Sequence, residues 1–99
     1  MYMKSFTERV IEIVKDIKRG GVLSYGEVAK LAGSMGASRA VGSIMSHNDD
    51  ISVPCHRVVR RDGSIGMYNG LRGEDKKKIL KEEGVVFKGE KVVMTGKRV

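Results

Sequence analysis

The sequence predicts a mainly α domain with a small β component, a winged helix-turn-helix, and three observations carry that reading. Two capping-box tetrapeptides, Ser5-Phe6-Thr7-Glu8 and Ser24-Tyr25-Gly26-Glu27, each open a run of apolar residues at helical spacing. A short glycine-bearing connection, Gly33 to Gly36, joins the second run to a third, which is the join that a helix-turn-helix uses. Beyond Cys55 the helical period gives way to short extended pieces around Asp62-Gly63.

Taken in order, the first helix places Phe6, Val10, Ile13, Val14 and Ile17 on one face and closes at Gly20-Gly21. The second runs through Val28, Ala29, Leu31 and Ala32 and stops at Gly33. The third extends from Ala37 to about His47, with Ala37, Ala40, Val41, Ile44 and Met45 inward and Ser38, Arg39, Gly42, Ser43 and Ser46 exposed. After the cysteine, Val58-Val59-Arg60-Arg61, Asp62-Gly63 and Ser64-Ile65 read as a wing hairpin, because Asp-Gly supplies the positive dihedrals of a primed turn. Residues Glu74 to Glu83 form a very basic fourth helix with a thin apolar contact at Ile79 and Leu80, ended by Gly84. A last hairpin pairs Val85–Phe87 with Val92–Met94 around Lys88-Gly89.

Composition bounds the partners. Ninety-nine residues suffice for one modest core, and neither repeats nor linker-like stretches divide them, so residues 1–99 are expected to form a single domain. Nineteen Lys and Arg against twelve Asp and Glu leave a formal charge of +7, which favours a polyanionic partner through counterion release. A membrane surface or an acidic protein would attract the same charge. One cysteine excludes an intramolecular disulfide, and no Cys/His cluster has zinc-ligand spacing, so neither metal nor cofactor is implied. With no long apolar stretch at the start or elsewhere, the expectation is a cytoplasmic protein, or one held with DNA in a nucleoid or nucleus, without a membrane partner.

The residues with most chemistry are Pro54-Cys55-His56-Arg57-Val58-Val59, where the only cysteine stands between the only proline and one of two histidines. A thiolate is the reactive form of cysteine, and a neighbouring base raises its population near neutral pH. The plainer reading is a buried structural thiol. Neighbours in a strand point to opposite faces, so Cys55 and His56 cooperate only if the backbone turns there or a water intervenes; Pro54, with its fixed φ, suits such a turn. On the third helix, small residues surround one long cation, Arg39, a surface that lets a backbone approach a groove.

The hexapeptide resembles the active-site signature of the alkylguanine-DNA alkyltransferases, repair proteins that move an alkyl group from guanine O6 onto their own cysteine. The resemblance extends from about Val22 to Val86. Leu23-Ser24-Tyr25-Gly26-Glu27-Val28-Ala29 is similar to the segment whose tyrosine helps rotate the nucleotide and hydrogen-bonds the departing base, which implies that role for Tyr25. Arg39-Ala40-Val41-Gly42 resembles the recognition-helix motif whose arginine enters the base stack through the minor groove; Ala37, Ser38, Arg39, Ala40 and Gly42 are thereby implied to meet DNA. Asn48 corresponds to the asparagine that bridges the helix-turn-helix to the active-site strand.

For the reaction, the resemblance implies Cys55 as nucleophile, with its proton drawn off through His56, a water and Glu83. It implies the Val58 carbonyl as an acceptor from the base, Tyr68 as the aromatic wall of the alkyl pocket with Asn69 beside it, and Lys76 as a cation near the leaving oxygen. The implied partner is double-stranded DNA containing O6-alkylguanine, with single-stranded DNA as a second substrate, met by a monomer. Outside this frame Glu83, Lys76, Tyr68 and Asn48 read as a last-turn charge, part of the run Lys76-Lys77-Lys78, a loop or core aromatic and a turn residue; His47 reads as a surface histidine.

The chain departs from the family pattern in three places. The N-terminal domain that most members carry has no counterpart, so helix one is expected to cover the core. The segment from Asn48 to Cys55 is one residue shorter. After Tyr68 one glycine is missing, and Asn69 stands where serine is usual. The last two changes bear on which alkyl groups fit. Two other functions stay in view: a non-catalytic lesion binder like the alkyltransferase-like proteins, which typically carry tryptophan at the position of Cys55, and a redox-sensing winged-helix regulator, which the lack of a partner cysteine disfavours.

Overall fold

The two capping boxes form as the sequence predicts. The Ser5 hydroxyl accepts from the Glu8 amide while the Glu8 carboxylate accepts from the Ser5 amide, starting α1 (Phe6–Lys15). Ser24 and Glu27 repeat the exchange at the start of α2 (Tyr25–Leu31). Each box satisfies two amides that a helix start otherwise leaves without partners. The computed structural model describes residues 4–48, 50, 52–65 and 73–93, with backbone alone at 73–75.

α2 ends in a Schellman motif: Gly33 N–H bonds the Lys30 carbonyl, Ser34 N–H bonds that of Ala29, and Gly33 takes φ +90°. The chain then enters α3 (Ser38–His47), which packs against α2. Val10 and Val14 of α1, Val28 and Ala29 of α2, and Val41 and Met45 of α3 meet in the main core with Ile17, Leu23 and Val58. Two inward assignments change. Ala40 is exposed and Gly42 is buried, so the apolar stripe of α3 narrows to Val41 and Met45, flanked by Ala37 and Ile44. Leu31, read as an inward residue of α2, is also largely exposed. α1 ends at Lys15, ahead of Gly20-Gly21; Ile17 still reaches the core from the turn that follows.

The strand arrangement differs from a simple wing hairpin. β1 (Leu23–Ser24) pairs in parallel with β2 (Val58–Val59), in the register Leu23 to Val58 and Ser24 to Val59. Successive strand residues face opposite ways, so Val58 enters the main core while Val59 enters a second one with Leu80, Val85 and Val92. The turn after β2 is present but is a three-residue loop rather than a two-residue primed turn: Gly63 N–H bonds the Arg60 carbonyl and Arg60 N–H bonds that of Ser64. Gly63 adopts φ +90° against the last hairpin, where an added Cβ would stand 2.4 Å from the Val92 carbonyl oxygen. Ser64 bridges Lys91 instead of extending its own ladder.

The basic α3 successor, α4 (Gly73–Glu82), ends in a second Schellman motif: Gly84 N–H bonds Lys81 O, and Val85 N–H bonds Leu80 O. This makes Glu83 the residue that caps α4. β3 (Phe87–Lys88) and β4 (Lys91–Val92) form a terminal hairpin, but it turns at Gly89-Glu90 rather than Lys88-Gly89, with Lys88 in a strand; Met94 lies outside the described residues.

Candidate functional site

Cys55 lies in a 3-10 turn, Cys55–Arg57, that Pro54 leads into, so the backbone does turn at the cysteine and the strand begins only at Val58. The thiol is 5% exposed and belongs to the main core, which alone would fit a structural cysteine. Its polar neighbour argues otherwise: Asn48 Nδ2 donates to Cys55 Sγ at 3.3 Å. Asn48 is the C-cap of α3, and the same amide group also donates to the Asp50 carbonyl. The asparagine therefore joins the end of the third helix to the thiol.

On the other side of the turn, His56 Nε2 and Glu83 Oε2 stand 3.0 Å apart. Arg57 clasps the same carboxylate through Nε to Oε1 at 3.0 Å and Nη2 to Oε2 at 2.8 Å, and its Nη1 donates to the Ile17 carbonyl at 2.7 Å. The Glu83 side chain is 7% exposed. The Arg57 guanidinium, more than the His56 contact, holds its carboxyl at about 2, below the usual carboxylate range, against the opposing effect of burial. Arg57 carried no assigned role in the sequence; its partners lie 26 and 40 residues away, beyond any local signal.

Lys76 opens a run of three lysines yet is 1% exposed. Its Nζ donates to the Val58 carbonyl at 2.8 Å and lies 5.9 Å from the centre of the Tyr25 ring, within cation–π range. Burial chiefly, with Arg60 adding to it, lowers its pKa to about 8; the neighbouring Cys55 acts in the opposite sense. The Val58 carbonyl, read as an acceptor from a base, thus already accepts from Lys76. Tyr68 and Asn69 lie outside the described residues.

An open groove of about 660 Å³ meets this cluster at Tyr25. Its floor is small residues of α3, Ser38, Gly42, Ser43 and Ser46, together with Gly26 and Gly36; Tyr25, Arg39, Arg60 and Arg61 form its walls. Gly42 contributes as a buried floor residue, not as an exposed one, while Ala37 is half-buried at the N-cap and Ala40 is exposed. The side chains of Arg39, Arg60 and Arg61 make no ion pair or hydrogen bond among the described residues, so three guanidinium groups face the groove uncommitted. Arg60 and Arg61, read in the sequence only as part of a hairpin, also line it. His47 bonds the Ser43 carbonyl at the surface. Among the described residues no cluster of side chains could hold a metal ion, and no helix is long and apolar enough to cross a membrane.

A helix-turn-helix domain with a lone thiol bonded by an asparagine, a His-Glu-Arg chain in the same turn, and an arginine-lined groove defines a class of protein that joins a nucleic-acid-binding fold to a cysteine site. Residues 5–85 match the family profile of the DNA-binding domain of 6-O-methylguanine DNA methyltransferase, and the chain belongs to that family. It is 45% identical to the methylated-DNA–protein-cysteine methyltransferase of Rattus norvegicus over 83 residues, 82% of this chain and 40% of that protein. To the protein of the same name from Methanothermobacter thermautotrophicus it is 41% identical over 86 residues, covering 86% of this chain and 47% of that one. The chain thus spans less than half the length of either methyltransferase. It is also 43% identical over 86 residues to the DNA base-flipping protein of Escherichia coli, covering 86% of this chain and 66% of that protein.

Among solved structures, S. pombe Atl1 in complex with damaged DNA containing O6-carboxymethylguanine superposes with a TM-score of 0.73 at 36% identity, covering 87% of this chain and 82% of that one. Mycobacterium tuberculosis OGT in complex with DNA gives 0.73 at 38% identity, covering 84% of this chain and 51% of that chain.

Proposed function

We propose that this chain repairs DNA by transferring an alkyl group, methyl in the simplest case, from O6 of guanine to Cys55 in a single turnover. The observation that carries this reading is the Asn48 amide aimed at Cys55 Sγ, an arrangement that stabilises a thiolate and that a merely structural core thiol does not need.

The steps follow from the residues. A polyanionic duplex docks its backbone along the groove, drawn by Arg39, Arg60 and Arg61. A base inside the stack cannot be reached by a side chain, so the nucleotide is extruded, at a cost of about a few kcal/mol, which insertion of Arg39 and contact with Tyr25 offset. The thiol proton passes through a water to His56, which Glu83 backs. The sulfur then bonds the alkyl carbon as the carbon–O6 bond breaks, and the bonding pair stays on the guanine oxygen. Lys76, cationic at neutral pH, and the Tyr25 hydroxyl stabilise that charge, and the departing guanine takes a proton from solvent. The thioether has no second cysteine to resolve it, so the protein remains alkylated.

A second reading, lesion binding without chemistry, is favoured by the likeness to Atl1 bound to damaged DNA. Incubation with a duplex containing O6-methylguanine, followed by peptide mass mapping, separates the two. The transfer reading expects one added methylene on the peptide carrying Cys55 and none on Cys55→Ala, which still binds the duplex. Tight binding by the unaltered protein with no change in mass supports the second reading and overturns the first.

A further inference from the structure

We infer that Arg57 is a positioning residue for the thiol chemistry: by gripping both oxygens of Glu83 it fixes the carboxylate against Nε2 of His56 and leaves Nδ1 as the atom that receives the Cys55 proton through an intervening water. The inference rests on the reading of Cys55 as a nucleophile and adds to it a residue without an assigned role.

Three segments converge on this guanidinium. Nε and Nη2 meet Oε1 and Oε2 of Glu83, at the cap of α4, while Nη1 meets the Ile17 carbonyl just beyond α1. Gly20, with φ +89°, brings the same connection against the Glu83 backbone, where an added Cβ would lie 3.0 Å from the carbonyl oxygen. Arg57 also shares its 3-10 turn with Cys55 and His56, so the residue that orients the carboxylate is built into the element that carries the thiol. A planar fork matched to both oxygens leaves the carboxylate one orientation, a constraint that a single histidine contact does not impose.

The chemistry of the donor set fixes the proton's destination. With its carboxyl held at about 2, Glu83 is a carboxylate throughout the neutral range and can only accept. The His56 contact is therefore donated by Nε2–H, and the lone pair of neutral His56 lies on Nδ1. When the thiol ionises, its proton comes to rest on His56 as an imidazolium facing a fixed anion. Glu83 stabilises that cation without taking the proton.

The test uses a small alkylating agent, so that it does not depend on DNA. Iodoacetamide captures the thiolate, forming a carbon–sulfur bond and releasing iodide, and its rate against pH follows the thiolate population. For Arg57→Lys, which keeps the charge but loses the fork, capture of Cys55 at pH 7 slows roughly tenfold, corresponding to about one unit in the thiolate profile, and the gap closes at alkaline pH where the thiol ionises unaided. Glu83→Gln shows the same displacement. The double variant is no slower than Glu83→Gln alone, because Arg57 acts through Glu83. Arg57→Ala removes three hydrogen bonds at once, and where it does not fold, Arg57→Lys carries the comparison. A profile for Arg57→Lys that superimposes on the wild type, a loss equal at every pH, or additive losses in the double variant would overturn the inference and leave Arg57 a structural clamp. Methyl transfer from O6-methylguanine DNA is read in parallel: a wild type that shows the expected profiles but accepts no methyl removes the proposed function, not the role of Arg57.

Discussion

Asn48 Nδ2 stands 3.3 Å from Cys55 Sγ, so the cap of the third helix is also the donor to the thiol. This ties the helix that lines the groove to the thiol. A hydrogen bond to a charged acceptor contributes about 1.5–3 kcal/mol, so Asn48→Ala is expected to slow transfer by roughly tenfold to a hundredfold. Single-turnover rates on a methylated duplex measure the loss. An unchanged rate would separate the asparagine from the chemistry.

Arg39 and Cys55 perform separable tasks in this account. Arg39→Ala is expected to slow repair in duplex DNA far more than reaction with free alkylguanine base, which needs no extrusion. Tyr25→Phe should impair both, since its hydroxyl is assigned to the leaving base. Equal losses for Arg39→Ala on the two substrates would return the arginine to an ordinary surface charge.

The uncommitted Arg60 and Arg61 lead to a different signature. As phosphate contacts, each replaced by alanine should weaken binding about equally on any sequence and flatten the dependence of log affinity on log salt by about one unit. Salt titrations of the two variants on unrelated duplexes test this. A loss confined to one sequence would point to base reading instead.

Lys76 trades stability for a site. Its pKa is lowered to about 8 in the folded chain, so the unfolded chain binds more protons between about 8 and its ordinary value, and the wild type gains stability as pH rises through that window. Lys76→Met removes the buried cation while keeping most of the volume. It is expected to be more stable than the wild type at pH 7, with the advantage shrinking above pH 8, and slower in transfer. Denaturant melts across pH follow the first part. A stability difference that does not change with pH would contradict it.

Glu83 acts in the opposite window. Its depressed carboxyl contributes stability that is fully present above the ordinary carboxylate range and is lost as pH falls toward 2. Glu83→Gln should therefore be less stable than the wild type at neutral pH and show a flatter decline through acid, measured by chemical unfolding at several pH values.

These residues also show what was legible beforehand. The capping boxes at Ser5 and Ser24 and the glycine stops at Gly33 and Gly84 are local signals, and they located the starts of α1 and α2 and the ends of α2 and α4, although Glu83, read as a last-turn residue, stands just past the end of α4. Asn48, Cys55 and His56 lie close in the chain, so their proximity was legible in the sequence. The parallel pairing of Leu23–Ser24 with Val58–Val59 was not legible, since two-residue strands this far apart leave no periodic trace. Burial of Lys76 and the grip of Arg57 on Glu83 depend on tertiary placement alone. The exchange of Ala40 and Gly42 across the edge of α3 reflects how little two small residues constrain which way a helix face turns.

The central claim is that Cys55 is alkylated once and irreversibly. Its most direct test is to titrate the protein with an excess of duplex carrying O6-methylguanine and follow both intact protein mass and remaining lesion. The account predicts a plateau at one methyl per protein chain, with one lesion lost for each methyl gained. Continued lesion loss beyond that ratio, or binding to the lesion with no gain in mass, would contradict it.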